Sequence, residues 1–406
     1  MKAIVFLGTN KTGSSYEGIK AAKRLGYETI LLTNRTIFAE EREDYKEIDE
    51  VRLINMSDTD EIILMITDLI NEGKSIDCFI SFLDEYVYLA ALLTNIICTT
   101  PLTFEPLKIM SDKILTRRFL TGKNYNPFFK VLSSPGAVEH ELKELKKQFP
   151  LIIKAPQSNG SKDVFFVEDI WECRRRIKQL FRKNSEFPIL VEEYLEGPQY
   201  LVEVMVYHSK ISIVAIVEQE VTKGERFIIT GYSISPKLIL EQLPDLNETV
   251  YSIIEDFQIR NGTCHLEMKL TNKGWKLIEI NPRMAGGAMN RMIEEAFGVN
   301  LAEQTIKLYA GKEPDLTKKR EKAIYAHYLI VNTVGKLLKV TGSDSAIQQD
   351  GVIEVFTKAE TGQIVTPPRS MGQRYGYVLA GADSTSEARK CAINGAQQIQ
   401  FYLQLI

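Results

Sequence analysis

Residues 264–283 read Cys-His-Leu-Glu-Met-Lys-Leu, Thr-Asn-Lys-Gly, Trp-Lys-Leu-Ile-Glu-Ile-Asn-Pro-Arg, a pattern that few folds accommodate. Alternation of polar and apolar side chains on both sides of a turn predicts a β-hairpin. A three-residue loop, Asn272-Lys273-Gly274, closes it, with glycine in the left-handed conformation it enters most cheaply. That loop pairs Thr271 with Trp275, which sets Glu267 opposite Glu279 and His265 opposite Asn281. These four groups then share one face, while Leu266, Met268, Leu270, Ile278 and Ile280 share the other. Facing carboxylates repel unless a cation sits between them. Hard oxygen ligands suit Mg²⁺, which completes its shell with water and phosphate oxygens. The competing reading is a solvated hairpin face with two unrelated acids, which a slip of one residue in the loop would produce.

The 406 residues are enough for about two to four domains. A formal net charge of −3 leaves no basic footprint, which argues against a nucleic-acid partner. Cys78, Cys98, Cys173, Cys264 and Cys391 are scattered without a CxxC pair. This points to a reducing compartment and away from zinc or a disulfide framework. The apolar run at the N-terminus is too short for a signal peptide, and no stretch reaches the length of a membrane span. The expected location is therefore cytoplasmic, with no membrane partner.

The apolar run over 3–8 predicts a buried parallel strand, followed by a helix to about Leu25 capped by Ser14 or Ser15. Glu28–Leu32, Val51–Ile54 and Cys78–Phe82 predict further strands, with an amphipathic helix over Thr59–Asn71. This βαβ alternation implies a small doubly wound sheet. A helix is expected over Asp112–Leu120, and strands at Leu151–Lys154 and Val164–Val167. Strands dominate from Ile189 to Ile280, around a helix near 246–258. The charged, proline-containing Gly311–Arg320 is a natural boundary; beyond it strands (Tyr325–Val331, Tyr375–Leu379) precede a terminal helix, Ser386–Gln400.

Three segments invite a ligand. Gly8-Thr-Asn-Lys-Thr-Gly13-Ser-Ser has the GxxxxG spacing of a phosphate-binding loop, but Ser14 stands where the lysine must be, so a bare strand-to-helix turn is the better reading. Lys154 ends an apolar strand, where burial is unfavourable, and so points into a polar cleft. The small residues Ser158, Gly160 and Ser161 after it let backbone N–H groups approach an anion; a surface loop with a snorkelling lysine is the alternative. Glu192-Glu193-Tyr194-Leu195-Glu-Gly197-Pro198 makes a stiff strand end that alone could belong to any edge strand.

Taken in order, Ser111-Asp-Lys113, Lys154, the small-residue loop, Glu192-Glu-Tyr-Leu-Glu-Gly and Glu267…Glu279-Ile-Asn281-Pro-Arg283 resemble the ATP-grasp superfamily of carboxylate–amine ligases. Gln373-Arg-Tyr-Gly376 with Ser384-Thr-Ser-Glu-Ala388 is similar to the closing domain of its carboxylase-like members. Glu279-Ile-Asn-Pro-Arg283-Met-Ala-Gly286-Gly287 matches the Glu-x-x-x-Arg-x-Gly-Gly stretch of the bacterial L-amino-acid ligases that make dipeptides, with one extra residue before the glycines. The resemblance implies an α/β and α+β fold in four parts. These are a Rossmann-like pre-ATP-grasp domain (1–108), an ATP-grasp subdomain with the phosphate lid (109–188), a second subdomain with the metal and substrate site (189–320), and an α+β closing domain (321–406).

It also implies roles. Lys113 and Lys154 bind the phosphates of ATP, with Lys154 also near the adenine; Glu192, Tyr194 and Leu195 line the adenine pocket; Glu203 makes a ribose or nearby polar contact. Ser158, Gly160 and Ser161 cover the phosphates, while Glu267, Glu279 and Asn281 hold Mg²⁺ (or Mn²⁺). Lys154 and Arg283 are the expected catalytic residues, Arg283 meeting an acyl phosphate, with Gly286 and Gly287 near the substrate carboxylate. Arg291, one turn on, is read as a solvated helix residue. Asp163 departs from the family's glycine, so it must face away from a triphosphate, or Lys162 offset it.

The implied reaction releases ADP and phosphate and joins small molecules, two amino acids foremost; a homodimer is common in this family. The alternative is a purine-biosynthesis-like or biotin-carboxylase-like ligase using bicarbonate or a phosphorylated amine. Phosphorylated substrates want a basic cluster, and none is visible after Arg283. A non-catalytic nucleotide-binding module is the remaining reading, opposed by the intact Glu267, Glu279, Asn281 and Arg283.

Overall fold

The computed structural model describes residues 2–135, 138–156, 163–184, 186–223, 227–236 and 243–406. The apolar N-terminal runs form a parallel sheet in the order Glu50–Leu53, Glu28–Thr33, Lys2–Leu7, Ser75–Ile80. Alternate residues of the first strand bury on opposite faces: Ile4 and Phe6 enter one core, Ala3, Val5 and Leu7 another. Helices Ser14–Arg24, Thr59–Asn71 and Val87–Ile97 alternate with the strands. Asp58 caps the second of these by accepting from the Asp60 and Glu61 N–H groups. The first is not capped by a serine. Gly13 takes the cap position at φ 79°, which favours glycine, and Ser15 Oγ instead accepts from Asn10 N.

Phe129–Leu132, Ile189–Glu193, Leu151–Lys154 and Val164–Val167 lie side by side in that order as an antiparallel sheet. The sheet packs its own core, Leu151, Ile153, Phe165 and Val191 among it, against the helix Ile170–Lys183. The expected boundary at 188/189 is therefore misplaced: Ile189–Glu193 pairs with strands on the earlier side of it, because its apolar residues complete that core.

Among the described residues, the largest sheet has eight strands. Its order is Gly274–Asn281, Gly262–Thr271, Gln199–Tyr207, Lys210–Lys223, Phe227–Ile234, Ala323–Leu329, Gly376–Ala382, Val352–Thr357. The last three come from the stretch expected as a closing domain, so that stretch continues the sheet that carries the glutamate hairpin. The terminal helix ends at Gln397 rather than Gln400, and Gln400–Leu405 pairs as a strand with Gly335–Thr341. The alternating Gln-Phe-Tyr-Leu-Gln-Leu explains that strand.

The hairpin itself reaches the expected pairing by a different route. Gly274 has φ 87°, but Thr271 pairs with Gly274 and Leu270 with Trp275, one residue off the predicted register. A β-bulge after Met268↔Leu277 leaves Ile278 without a partner and restores Glu267↔Glu279 and His265↔Asn281. Leu277 therefore takes the core face in place of Ile278, which borders the cleft. Among the described residues, no helix is long and apolar enough to cross a membrane, and the five cysteines are free.

Gly197 and Pro198 anchor the end of the Glu192 segment to this hairpin. The Leu270 N–H donates to Pro198 O at 3.1 Å. Gly197 has φ 135°, and a Cβ there would stand 1.9 Å from the Leu270 carbonyl oxygen. Gly197→Ala is expected to lower stability by about 1–3 kcal/mol or more, read as a fall in the urea midpoint at unchanged slope. An unchanged midpoint would show that this contact does not constrain the fold.

Candidate functional site

A cleft separates the small antiparallel sheet from the hairpin edge of the large one. Asp112 caps the helix Lys113–Phe119, accepting from the Ile114 and Leu115 N–H groups, and so aims Lys113 and Arg117, one turn apart, into the cleft. Arg117 Nε donates to Glu192 Oε1 at 2.5 Å, and its Nη2 donates to the carbonyl of Ile278, the bulge residue, at 2.6 Å. Lys154 leaves the end of its strand as expected and meets Glu192 Oε2 at 2.5 Å. Burial alone would raise the pKa of Glu192, but Arg117 and Lys154 overcome it and hold the carboxyl at about 2.

Glu192 thus borders the cleft, yet both its oxygens are engaged by Arg117 and Lys154. It lines the same cavity as Tyr194 and Leu195 and is the anion that fixes Lys154 there. Arg117 was missed by sequence reasoning; its only signal is its place one turn after Lys113. Its Nη1 is buried, and among the described residues it has no hydrogen-bond partner, which suits an acceptor on a bound molecule.

Tyr194 and Leu195 stand at the mouth of this cavity. The Tyr194 ring stacks on Phe227 at 6.1 Å and 19°, and meets Phe166 edge-on at 4.8 Å. Lys269 Nζ donates to the Leu195 carbonyl at 2.9 Å. An aromatic slot beside lysines suits a flat, electron-rich base attached to phosphates. Ser158, Gly160 and Ser161 lie outside the described residues, as does Lys162. Asp163 pairs with Lys183 at 2.7 Å on the helix behind the sheet, so its charge is turned away from the slot.

Beyond the lysines the cavity continues past Glu267 and Glu279 to Asn281 and Arg283. Lys113 Nζ lies 3.2 Å from Glu279 Oε1, joining the two parts. Burial, and then the facing Glu279, push the Glu267 carboxyl up to about 7. A divalent cation between such oxygens removes that repulsion. His265 Nδ1 sits 2.8 Å from the Arg283 carbonyl and its Nε2 3.2 Å from Asn281 Nδ2. The consistent assignment is Nδ1–H donating to the carbonyl and Nε2 accepting from the amide, which leaves Asn281 Oδ1 as a further oxygen donor. Burial, then Arg283, lower the His265 pKa to about 4, so the ring is neutral. Two carboxylates and an amide oxygen are a donor set that fits Mg²⁺ or Mn²⁺.

Arg283 is clamped rather than open: Nε and Nη2 donate to the two oxygens of Asp84 at 2.6 and 2.7 Å. Asp84 follows the strand Ser75–Ile80, beyond the carboxyl end of a parallel strand, where ligand sites gather in such sheets. Sequence reasoning did not single it out. Gly286 and Gly287 border the same region. Gly13 approaches Gly287 so closely that a Cβ would lie 3.4 Å from Gly287 N. The first glycine turn, read as bare, thus lines the same cavity as Arg283, Gly286 and Gly287.

Three expectations are corrected here. Glu203 makes no ribose contact: it is 1 % exposed beneath the 283–287 turn, where Oε1 accepts from Ala285 N at 2.8 Å. Its strand runs between two others, and burial pushes its carboxyl up to about 8. Arg291 is only partly exposed and is held by Glu294, Glu295 and Glu354 at 2.9 to 3.1 Å. Finally, basic residues do gather after Arg283: Arg291, Lys358 and Arg374 line a cavity of about 1100 Å³ between the N-terminal sheet and the far strands of the large one.

Residues 147–291 match the model of the ATP-grasp domain, 19–97 that of the ATP-grasp N-terminal domain, and 327–404 that of the L-amino acid ligase C-terminal domain 2. The Sinorhizobium fredii protein y4rH is 25% identical over 397 residues, 95% of this chain and 80% of that protein. The L-arginine-specific L-amino acid ligase of Bacillus subtilis is 24% identical over 241 residues, 55% of this chain and 56% of the ligase. In structure, an L-amino acid ligase from Bacillus licheniformis superposes with a TM-score of 0.81 at 17% identity, covering 100% of this chain and 99% of the other.

Because the Glu192 pKa is depressed in the folded state, its contribution to stability is present above the ordinary glutamate value of 4.5 and lost as pH falls toward about 2. Acid titration of the unfolding free energy is expected to show that limb, and Glu192→Gln to flatten it. Arg117→Leu, which leaves Glu192 with Lys154 as its one remaining cation and removes the donor to the Ile278 carbonyl, is expected to cost about 3–5 kcal/mol by denaturant unfolding. A loss below about 1 kcal/mol would remove Arg117 from that role.

Proposed function

We propose, from the premise that this chain belongs to the ATP-grasp carboxylate–amine ligases, that it joins two amino acids into a dipeptide through an acyl phosphate. The observation that carries this reading is the opposed Glu267–Glu279 pair, set where the aromatic slot meets the Arg283 cavity. The match of 327–404 to an L-amino acid ligase C-terminal domain and the likeness to the Bacillus ligase support amino acids as substrates.

In this reading the base of ATP enters the slot of Tyr194 and Phe227, and Lys154 and Lys113 carry its phosphates toward the glutamates. Mg²⁺ or Mn²⁺ held by Glu267, Glu279 and Asn281 would supply charge neutralisation on the phosphate oxygens. Arg283, its fork fixed by Asp84, faces the carboxylate that is phosphorylated and offsets the charge that develops on its carbonyl oxygen when the amine attacks. Gly286 and Gly287 let the substrate approach the backbone closely. An amine then displaces phosphate from the acyl phosphate, and the proton it loses leaves with the phosphate or solvent. Phosphoryl transfer asks the protein mainly for positioning and charge stabilisation, which is what these side chains offer.

Incubation with ATP, Mg²⁺ and amino-acid pairs is expected to yield ADP, phosphate and a product whose mass is that of a dipeptide. Release of AMP and pyrophosphate would remove the acyl-phosphate mechanism, and turnover with bicarbonate in place of amino acids would shift the chain to the carboxylase-like alternative. Glu279→Gln is expected to lower turnover about 100-fold or more. Wild-type turnover in that variant would show that the opposed carboxylates hold no catalytic cation.

A further inference from the structure

Most cations around the cleft are already neutralised. Lys154 meets Glu192, Lys113 meets Glu279, Arg283 meets Asp84, and Arg291 meets three glutamates. Lys358 and Arg374 differ. Arg374 donates through Nε to the Met371 carbonyl at 3.3 Å and through Nη1 to the Ile229 carbonyl at 3.2 Å. Its guanidinium lies 3.8 Å from the centre of the Tyr328 ring. Lys358 Nζ donates to the Gly372 carbonyl at 3.1 Å. Among the described residues, neither forms an ion pair with a carboxylate, and the two repel each other across the Met371–Gln373 turn. Glu267 attracts Arg374 only from beyond ion-pair range, and like charges held together are unfavourable unless an anion binds between them.

Their position gives that anion a context. Both line the large cavity shared with Gly13 and Gly287. Met371, on which Arg374 rests, borders that cavity and also the one holding Glu279 and Arg283. Arg374 therefore stands on the partition between the phosphorylated carboxylate's end of the cleft and the open chamber beside it. An α-amino acid entering from the chamber presents its amine to the acyl phosphate with its own carboxylate only two bonds behind.

We infer that Lys358 and Arg374 form the subsite that binds the free carboxylate of the amine-donating amino acid. Arg374 supplies a planar fork fixed by Tyr328 and two carbonyls, suited to a carboxylate's paired oxygens, and Lys358 adds a second charge at the Gly372 carbonyl. The assignment rests on the ligase reading above, and the two are separated by experiment. Hydroxylamine brings no carboxylate, so hydroxamate formed from an amino acid and ATP by the wild-type protein tests acyl-phosphate formation alone. If no amino acid yields hydroxamate, the ligase reading falls and the subsite with it.

With hydroxamate formed, kcat/KM is compared for an acceptor amino acid and for its amide, which lacks the carboxylate. Arg374→Met is expected to depress the amino acid at least about tenfold more than the amide, mainly through KM, with partial rescue in Arg374→Lys. Lys358→Met is expected to act in the same direction with a smaller ratio, and it decides the matter if Arg374→Met fails to fold. Equal losses with both acceptors overturn the subsite. A phosphorylated amine used as acceptor while amino acids stay inert also overturns it, in favour of a phosphate.

Discussion

Arg117 holds together elements that the rest of the site depends on. One arm of its guanidinium neutralises Glu192, and another takes the carbonyl of Ile278, the residue left without a ladder partner by the bulge. Without the bulge, Glu279 would not face Glu267. Without Glu192, Lys154 would have no fixed direction at the end of its strand. A single buried cation thus links the small sheet to the glutamate hairpin, and the low dielectric around it makes each contact strong and each loss severe.

The charges in the cleft follow one arrangement. Lysines and arginines near the slot and the glutamate pair are matched by carboxylates from other elements: Asp84 from the N-terminal sheet, Glu192 from the small one, Glu279 from the hairpin. Matched pairs orient side chains without placing a large net charge in the cavity. Lys358 and Arg374 break that rule at the far end, in the chamber bounded by the N-terminal turn and the last strands of the large sheet. The same sheet carries both the glutamate hairpin and these last strands.

Much of the fold was legible in local patterns. The helix Thr59–Asn71 and the strands Leu151–Lys154 and Val164–Val167 fall where periodicity puts them. Among the described residues, Lys154, Tyr194, Glu267, Glu279 and Asn281 come together around connected cavities. The hairpin is instructive because its pairing was anticipated for an incomplete reason. The loop is one residue tighter than expected, and a bulge several residues away makes up the difference, so Ile278 and Leu277 exchange faces. Glu203 was misjudged because the turn that covers it, and the Ala285 N–H that it accepts from, lie 82 residues further along the chain. Asp84 and Arg117 passed unnoticed because their partners lie 199 and 75 residues away in the chain.

Residue types and spacings alone determined that the chain alternates strands and helices, that a hairpin would face acid against acid, and that a lysine would end an apolar strand beside a small-residue loop. These follow from side-chain periodicity and from the energetics of burying a charge, both of which act over a few residues. Which carboxylate neutralises which cation, which strand continues which sheet, and which basic residues are left without a counter-charge were decided only in three dimensions. Those outcomes depend on contacts between segments far apart in the chain, where burial strengthens or cancels an interaction according to what folds over it.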